Sequence, residues 1–142
     1  MKYKGIEYKK FFGNLSETIV SALAKGKFPI DDEAAWEKFK ENDRILAVIE
    51  FPCVDIELEM WTAGGYYYDE ATADDDEISL AYVVCKKFGD GAYDWDTDDF
   101  VHKHITVDFS SPTWEDELEQ DMLESLDEYV KEHGYSYTEV NR

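Results

Sequence analysis

Residues 44–60, RILAVIEFPCVDIELEM, decide the fold class. In the second half Val54, Ile56, Leu58 and Met60 alternate with Asp55, Glu57 and Glu59. That period of two belongs to a strand with one buried and one wet face. In the first half the phase is opposite: Ile45, Ala47, Ile49 and Phe51 are the apolar positions and Glu50 is the polar even one. The phase changes at Pro52, which cannot donate to a ladder, so a bulge or a sheet edge is expected there.

Downstream the same period recurs. Ile78, Leu80, Tyr82 and Val84 share one side of a second strand, from about Glu77 to Phe88. Val101, Ile105, Val107 and Phe109 share a face of a third, Phe100 to Phe109. Gly64-Gly65 and Gly89-Asp90-Gly91 between them are turn chemistry. Three antiparallel strands are the minimum, with Tyr66 to Asp69 a candidate fourth.

The flanks read as helices. Asn14 with Glu17 three places on marks a helix start, and Leu15, Ile19, Val20 and Leu23 recur on one face until Gly26. Asp31 or Asp32 can cap a second helix through Lys40, striped by Ala35, Trp36 and Phe39. Ser111 or Thr113 caps a last helix, where Trp114, Leu118, Met122, Leu126 and Val130 step at four-residue intervals to a stop at Gly134. The expected order is α-α-β-β-β-α. It describes one α+β domain over residues 1–142, with an antiparallel three- or four-stranded sheet packed against helices.

Charge is distributed unevenly over this layout. Residues 1–43 hold eight acidic and eight basic side chains, so residues 44–142, with 26 against 6, carry the whole formal charge of −20. A negative surface of that size disfavours nucleic acid and anionic membrane and favours cations or a basic protein surface. At 44% hydrophobic and 15% aromatic residues, the chain has the apolar content that disordered acidic tails lack. Cys53 and Cys85 each sit in an apolar run, the setting of buried free thiols, which implies a reduced, cytoplasmic protein. No secretory leader or membrane span is legible.

The constellations that carry chemistry are incomplete. Asp94, Asp96 and Asp98 match the first three ligands of a calcium loop, but Asp99 and Ile105 stand where Gly and a bidentate Glu are needed. His102, His104 and Asp108 fall on one strand face with no further metal ligand at a suitable spacing. Both cysteines stand in strand interiors, away from any helix start, and no glycine-rich phosphate loop is present. The expectation is no enzyme, no catalytic residue, no cofactor and no metal.

The last helix carries Glu115, Asp116, Glu117, Glu119, Asp121, Glu124, Asp127, Glu128 and Glu132. Over the 20 residues from Thr113, about 30 Å, that is one carboxylate per roughly 3.3 Å of axis, close to the phosphate density of one B-DNA strand. Like charges at i,i+4, such as Glu124 with Glu128, disfavour the isolated helix. In charge, size and this helix, the region after Arg44 resembles the acidic nucleic-acid-mimic inhibitors, among them phage anti-CRISPR and anti-restriction proteins. Acidic immunity proteins and secretion chaperones are similar by the same criteria. The resemblance implies an inhibitor in the host cytoplasm that binds the basic channel of a nuclease or CRISPR effector and touches no nucleic acid itself. The expected contacts are Glu119, Glu124, Asp127 and Glu128, with Asp74, Asp75, Asp76 and Glu77 assisting and Trp95 and Tyr67 as aromatic anchors. The alternative is an interaction, chaperone-like or housekeeping protein whose acidity only keeps it solvated. Oligomeric state stays open.

Overall fold

A computed structural model describes residues 1–25, 45–62, 78–86, 100–102, 105–134 and 136–137. The expected second helix, 32–40, and the candidate strand Tyr66 to Asp69 lie outside the described residues. In chain order the described elements are strands β1 (Lys2–Tyr3), β2 (Ile6–Glu7) and β3 (Lys9–Phe11), then helix α1 (Glu17–Lys25). Strands β4 (Ile45–Glu50), β5 (Val54–Thr62), β6 (Ile78–Lys86) and β7 (Phe100–His102) follow, and helix α2 (Trp114–His133) comes last.

Pro52 makes a hairpin turn where a bulge or edge was expected. Glu50 pairs with Asp55, and the Phe51 N–H donates to the Val54 carbonyl at 2.8 Å, so Pro52 and Cys53 form a two-residue loop between β4 and β5. The locked φ of proline suits the first central position of such a turn. The register explains the phase change in the sequence. Ala47 lies opposite Leu58 and Ile49 opposite Ile56, so these odd positions on β4 share a face with even positions on β5, while a register shift between Ile45 and Ala47 sets Ile45 opposite Glu59 and breaks the alternation there.

The sheet continues antiparallel in the order β3-β4-β5-β6-β7. Leu58 faces Tyr82 and Ile56 faces Val84 across β5 and β6, while β7 places Phe100 beside Val84 and His102 beside Tyr82. The α+β class with an antiparallel sheet is therefore present, and β3 supplies an edge strand from a segment with no readable strand signal. The expected third strand is shorter: β7 ends at His102, and residues 105–108 are irregular. Ahead of the sheet, β1 and β2 form a separate hairpin around Lys4 and Gly5, with φ of 53° and 80°. Positive φ at both central residues is the geometry of a type I′ turn, which matches strand twist.

Helix α2 covers one face of the sheet. Leu118, Met122 and Leu126 are wholly buried and belong to one cluster with Ile49, Ile56, Leu58, Tyr82 and Val84. Each fully buried aliphatic side chain of this kind contributes roughly 1.5–3 kcal/mol. Gly134, at φ 68°, ends α2 in the left-handed conformation, as its sequence position implies. Helix α1 begins later than the Asn14 signal: the Ser16 hydroxyl accepts from the Ile19 N–H at 3.3 Å. Asn14 instead donates its amide to the Ile45 carbonyl at 2.9 Å, tying the helix approach to β4.

The second face of β5 corrects the sequence reading. Asp55, Glu57 and Glu59 are 5%, 8% and 2% exposed, so this face is buried rather than wet. Their cross-strand neighbours on β6 are Cys85, Val83 and Ala81. Alternation of polar and apolar side chains identified the strand correctly, but polarity did not identify the solvent side.

Candidate functional site

The nine carboxylates of α2 divide into two sets by what they touch. Lys10 reaches across from β3 with Nζ 2.9 Å from Glu119 and 3.3 Å from Glu115. Tyr8 donates its hydroxyl to the other oxygen of Glu119 at 2.6 Å. Asp121 accepts from Tyr82 at 2.5 Å and from Thr106 at 2.9 Å. Asp127 accepts from Tyr3 at 2.6 Å and from Tyr137. Three acids that the sequence presents as helix surface, Glu119, Asp121 and Asp127, thus act as part-buried acceptors, with the exposed Glu115 beside Lys10, binding residues 1–11, β6 and the segment after α2 to the helix.

The local electrostatics follow this arrangement. Burial and then the Glu119 hydrogen bond push the Tyr8 hydroxyl up to about 12, and burial and then Asp127 do the same for Tyr137. Tyr3 and Tyr82 shift in the same direction for the same kinds of cause. The hydrogen bond to Glu119 leads the forces that raise Lys10. Burial opposes ionisation of Glu119, yet the Tyr8 and Lys10 hydrogen bonds prevail and hold its carboxyl below the usual range.

The second set faces solvent. Asp116, Glu117, Glu124, Glu128 and Glu132 are exposed. They span 17 residues, about 26 Å, which leaves one outward carboxylate per roughly 5 Å of axis. Glu124 lies near the centre of this face and accepts a long bond, 3.4 Å, from Gln120. An open groove of about 410 Å³ runs beside it, between Thr106 and Val107 on one wall and Asp116, Gln120, Asp121 and Glu124 on the other.

Of the expected partner contacts, Glu124 and Glu128 are exposed on α2, whereas Glu119 and Asp127 are only partly accessible and engaged within the chain. Asp74, Asp75, Asp76, Glu77, Trp95 and Tyr67 lie outside the described residues, as do Asp94, Asp96, Asp98 and His104. Asp108 is exposed and accepts from the backbone and hydroxyl of Ser110, a local turn. Among the described residues no three His, Cys, Asp or Glu side chains are placed to share a metal ion. Cys53 and Cys85 are buried.

No donor role is legible in the sequence for Tyr3, Tyr8, Lys10, Tyr82, Thr106 or Tyr137, of which only Tyr82 is placed there, as a strand position. Most lie far from their acceptors along the chain, 109 residues in the case of Lys10 and Glu119, so no local pattern announces them. Compared with known proteins, the chain matches no family model, no curated protein and no solved structure. No helix among the described residues is long and apolar enough to cross a membrane.

Proposed function

We propose that this protein binds a basic surface of a nucleic-acid-handling protein, of the CRISPR-effector, restriction-enzyme or nuclease-toxin kind, and inhibits it by occupying the channel meant for phosphate. The observation that carries this reading is the outward row of α2. Glu117, Glu124, Glu128 and Glu132 remain exposed on a helix whose opposite face is locked into the core by Leu118, Met122 and Leu126. The packed helix holds the backbone that carries these charges in place, so a partner has only their side chains to order. Complementary charge also steers encounter and raises the association rate. The internal acceptors narrow the expected contact to Glu124 and Glu128, because Glu119 and Asp127 cannot turn outward without breaking bonds to Tyr8, Lys10 and Tyr3.

The test is binding to purified nucleic-acid-handling proteins in a range of salt, with duplex DNA or guide RNA as competitor. Affinity for the target falls with added salt, nucleic acid displaces the protein, and reversing Glu124→Lys with Glu128→Lys weakens the complex without unfolding the chain. Binding that ignores salt, nucleic acid and both reversals makes the outward row a solvated face only.

A further inference from the structure

We infer that the groove between α2 and residues 105–107 is a docking site for an extended, arginine-bearing segment of the partner, held by main-chain pairing on one wall and by carboxylates on the other. The inference rests on the proposed basic partner and names the part of it that seats there. The first wall is backbone without a neighbour. β7, the last strand in the sheet order, ends at His102, and Ile105, Thr106, Val107 and Asp108 beyond it are alternately half-buried and exposed, the period of extended chain. Ile105 and Val107 pack against the core, and the Thr106 hydroxyl donates to Asp121 at 2.9 Å, tying this wall to the helix. Among the described residues, the main-chain N–H and C=O groups of Ile105, Thr106 and Val107 make no backbone hydrogen bond. An extended run with unpaired main-chain groups is a template for an added strand.

The second wall fixes the charge of the occupant. Thr113, Asp116, Glu117, Gln120, Asp121 and Glu124 line the groove as one stripe of α2, about 16 Å long. Asp121 is engaged by Tyr82 and Thr106, but Asp116, Glu117 and Glu124 are exposed and, among the described residues, form no ion pair. They differ in this from Glu115 and Glu119, which hold Lys10. No basic side chain among the described residues lines the groove, so its complement is cationic. The spacing also suits an extended segment. Asp116 and Glu124 are about 12 Å apart along the helix axis, and the first and fifth residues of an extended segment are about 13 Å apart. Five residues with arginine at alternate positions therefore address both ends of the stripe, and the planar fork of arginine meets a carboxylate with two hydrogen bonds where lysine offers a point charge. At about 410 Å³ the groove has the size of a ligand cleft.

Fluorescence anisotropy of a labelled, end-capped Arg-Thr-Arg-Thr-Arg peptide against the full chain tests both walls. Alternate N–H groups of a strand point to opposite edges, so two derivatives are compared with the parent, one N-methylated at the three arginines and one at the two threonines. Charge is the same in all three. One derivative should bind at least roughly fivefold more weakly, the factor for one net hydrogen bond, and the other should stay close to the parent. Equal affinity of the three peptides, or equal weakening by both derivatives, overturns the main-chain pairing. Glu117→Gln should weaken the parent peptide roughly two- to fivefold relative to Glu17→Gln, an exposed acid on α1; equal affinities of these variants overturn the acidic wall. Saturating peptide should also slow amide hydrogen exchange within residues 105–107, and unchanged exchange there counts against the site. A peptide that meets these criteria upholds the groove even if no nucleic-acid-handling protein is bound, an outcome that removes the proposed function alone. A nuclease or effector bound in competition with DNA, by a chain whose peptide binding ignores N-methylation and Glu117→Gln, leaves the proposed function standing and removes the groove.

Discussion

Replacing Asp121 by alanine removes the acceptor of two hydrogen bonds, from Tyr82 at 2.5 Å and from Thr106 at 2.9 Å. Tyr82 is 1% exposed, so its hydroxyl has little access to water in the wild-type packing. A hydrogen bond to a charged group contributes about 1.5–3 kcal/mol, and a buried donor deprived of its acceptor carries the full desolvation cost. Tyr82→Phe is milder, about 1 kcal/mol, because Asp121 keeps Thr106 and is partly open to solvent. The double variant should then lose less than the sum of the two, with a coupling of about 1–2 kcal/mol. For a chain of this length, each kcal/mol corresponds to about 3–4 °C in Tm. Urea unfolding followed by tryptophan fluorescence supplies the four free energies, and Asp121→Asn, which keeps an acceptor oxygen, should fall between wild type and alanine. Strict additivity, or a larger loss from Tyr82→Phe than from Asp121→Ala, would mean that Asp121 is ordinary helix surface.

Glu59 is 2% exposed and its Oε1 accepts no hydrogen bond from the described residues, so Glu59→Met should leave the fold as stable or stabilise it by about 1 kcal/mol; a loss above about 2 kcal/mol in the same urea assay would show that the carboxylate is satisfied in the folded state. Tyr8 and Tyr137 have folded pKa values raised to about 12, so their contribution to stability is complete below the ordinary tyrosine range and is lost as pH rises through about 12. An absorbance titration at alkaline pH should resolve Tyr3, Tyr8, Tyr82 and Tyr137 as a late-ionising group that joins the rest on unfolding, and a single early transition would contradict the tyrosine–carboxylate bonds. At the acid end the sign reverses. Glu119, whose folded value is lowered, stabilises above the ordinary glutamate range and ceases to do so as pH falls through its folded value, so Glu119→Gln should flatten the loss of stability between neutral and acid pH.

The sheet was legible because strands state their period locally. Ile45 to Phe51 and Val54 to Met60 each declare a face, and the apolar stripe of α2 declares the helix that covers it. What the sequence could not state was pairing. Pro52 reads as a bulge or a sheet edge until the register places Glu50 beside Asp55 and makes it a turn. The strand β3 is three residues long, too short for a period to show. The same limit applied to the candidate site. Charge density along α2 was readable from residues 113–132, but the division into outward acids and internal acceptors depends on Tyr3, Tyr8 and Lys10, which reach α2 only through the fold. The burial of Asp55, Glu57 and Glu59 was concealed for a related reason: an alternating strand looks half-wet whether or not its polar face is covered.

The reading of α2 as a docking surface is tested by one comparison on one target: the affinity of wild type and of Glu124→Lys/Glu128→Lys for a nuclease or effector channel, each measured with and without competing duplex DNA. Wild-type binding that DNA displaces, and that the double reversal weakens at least tenfold while Tm is retained, is the expected result; a reversal of two charges at a desolvated contact is of that order or larger. Equal affinity for both proteins, or a wild-type complex that saturating DNA leaves intact, would contradict it.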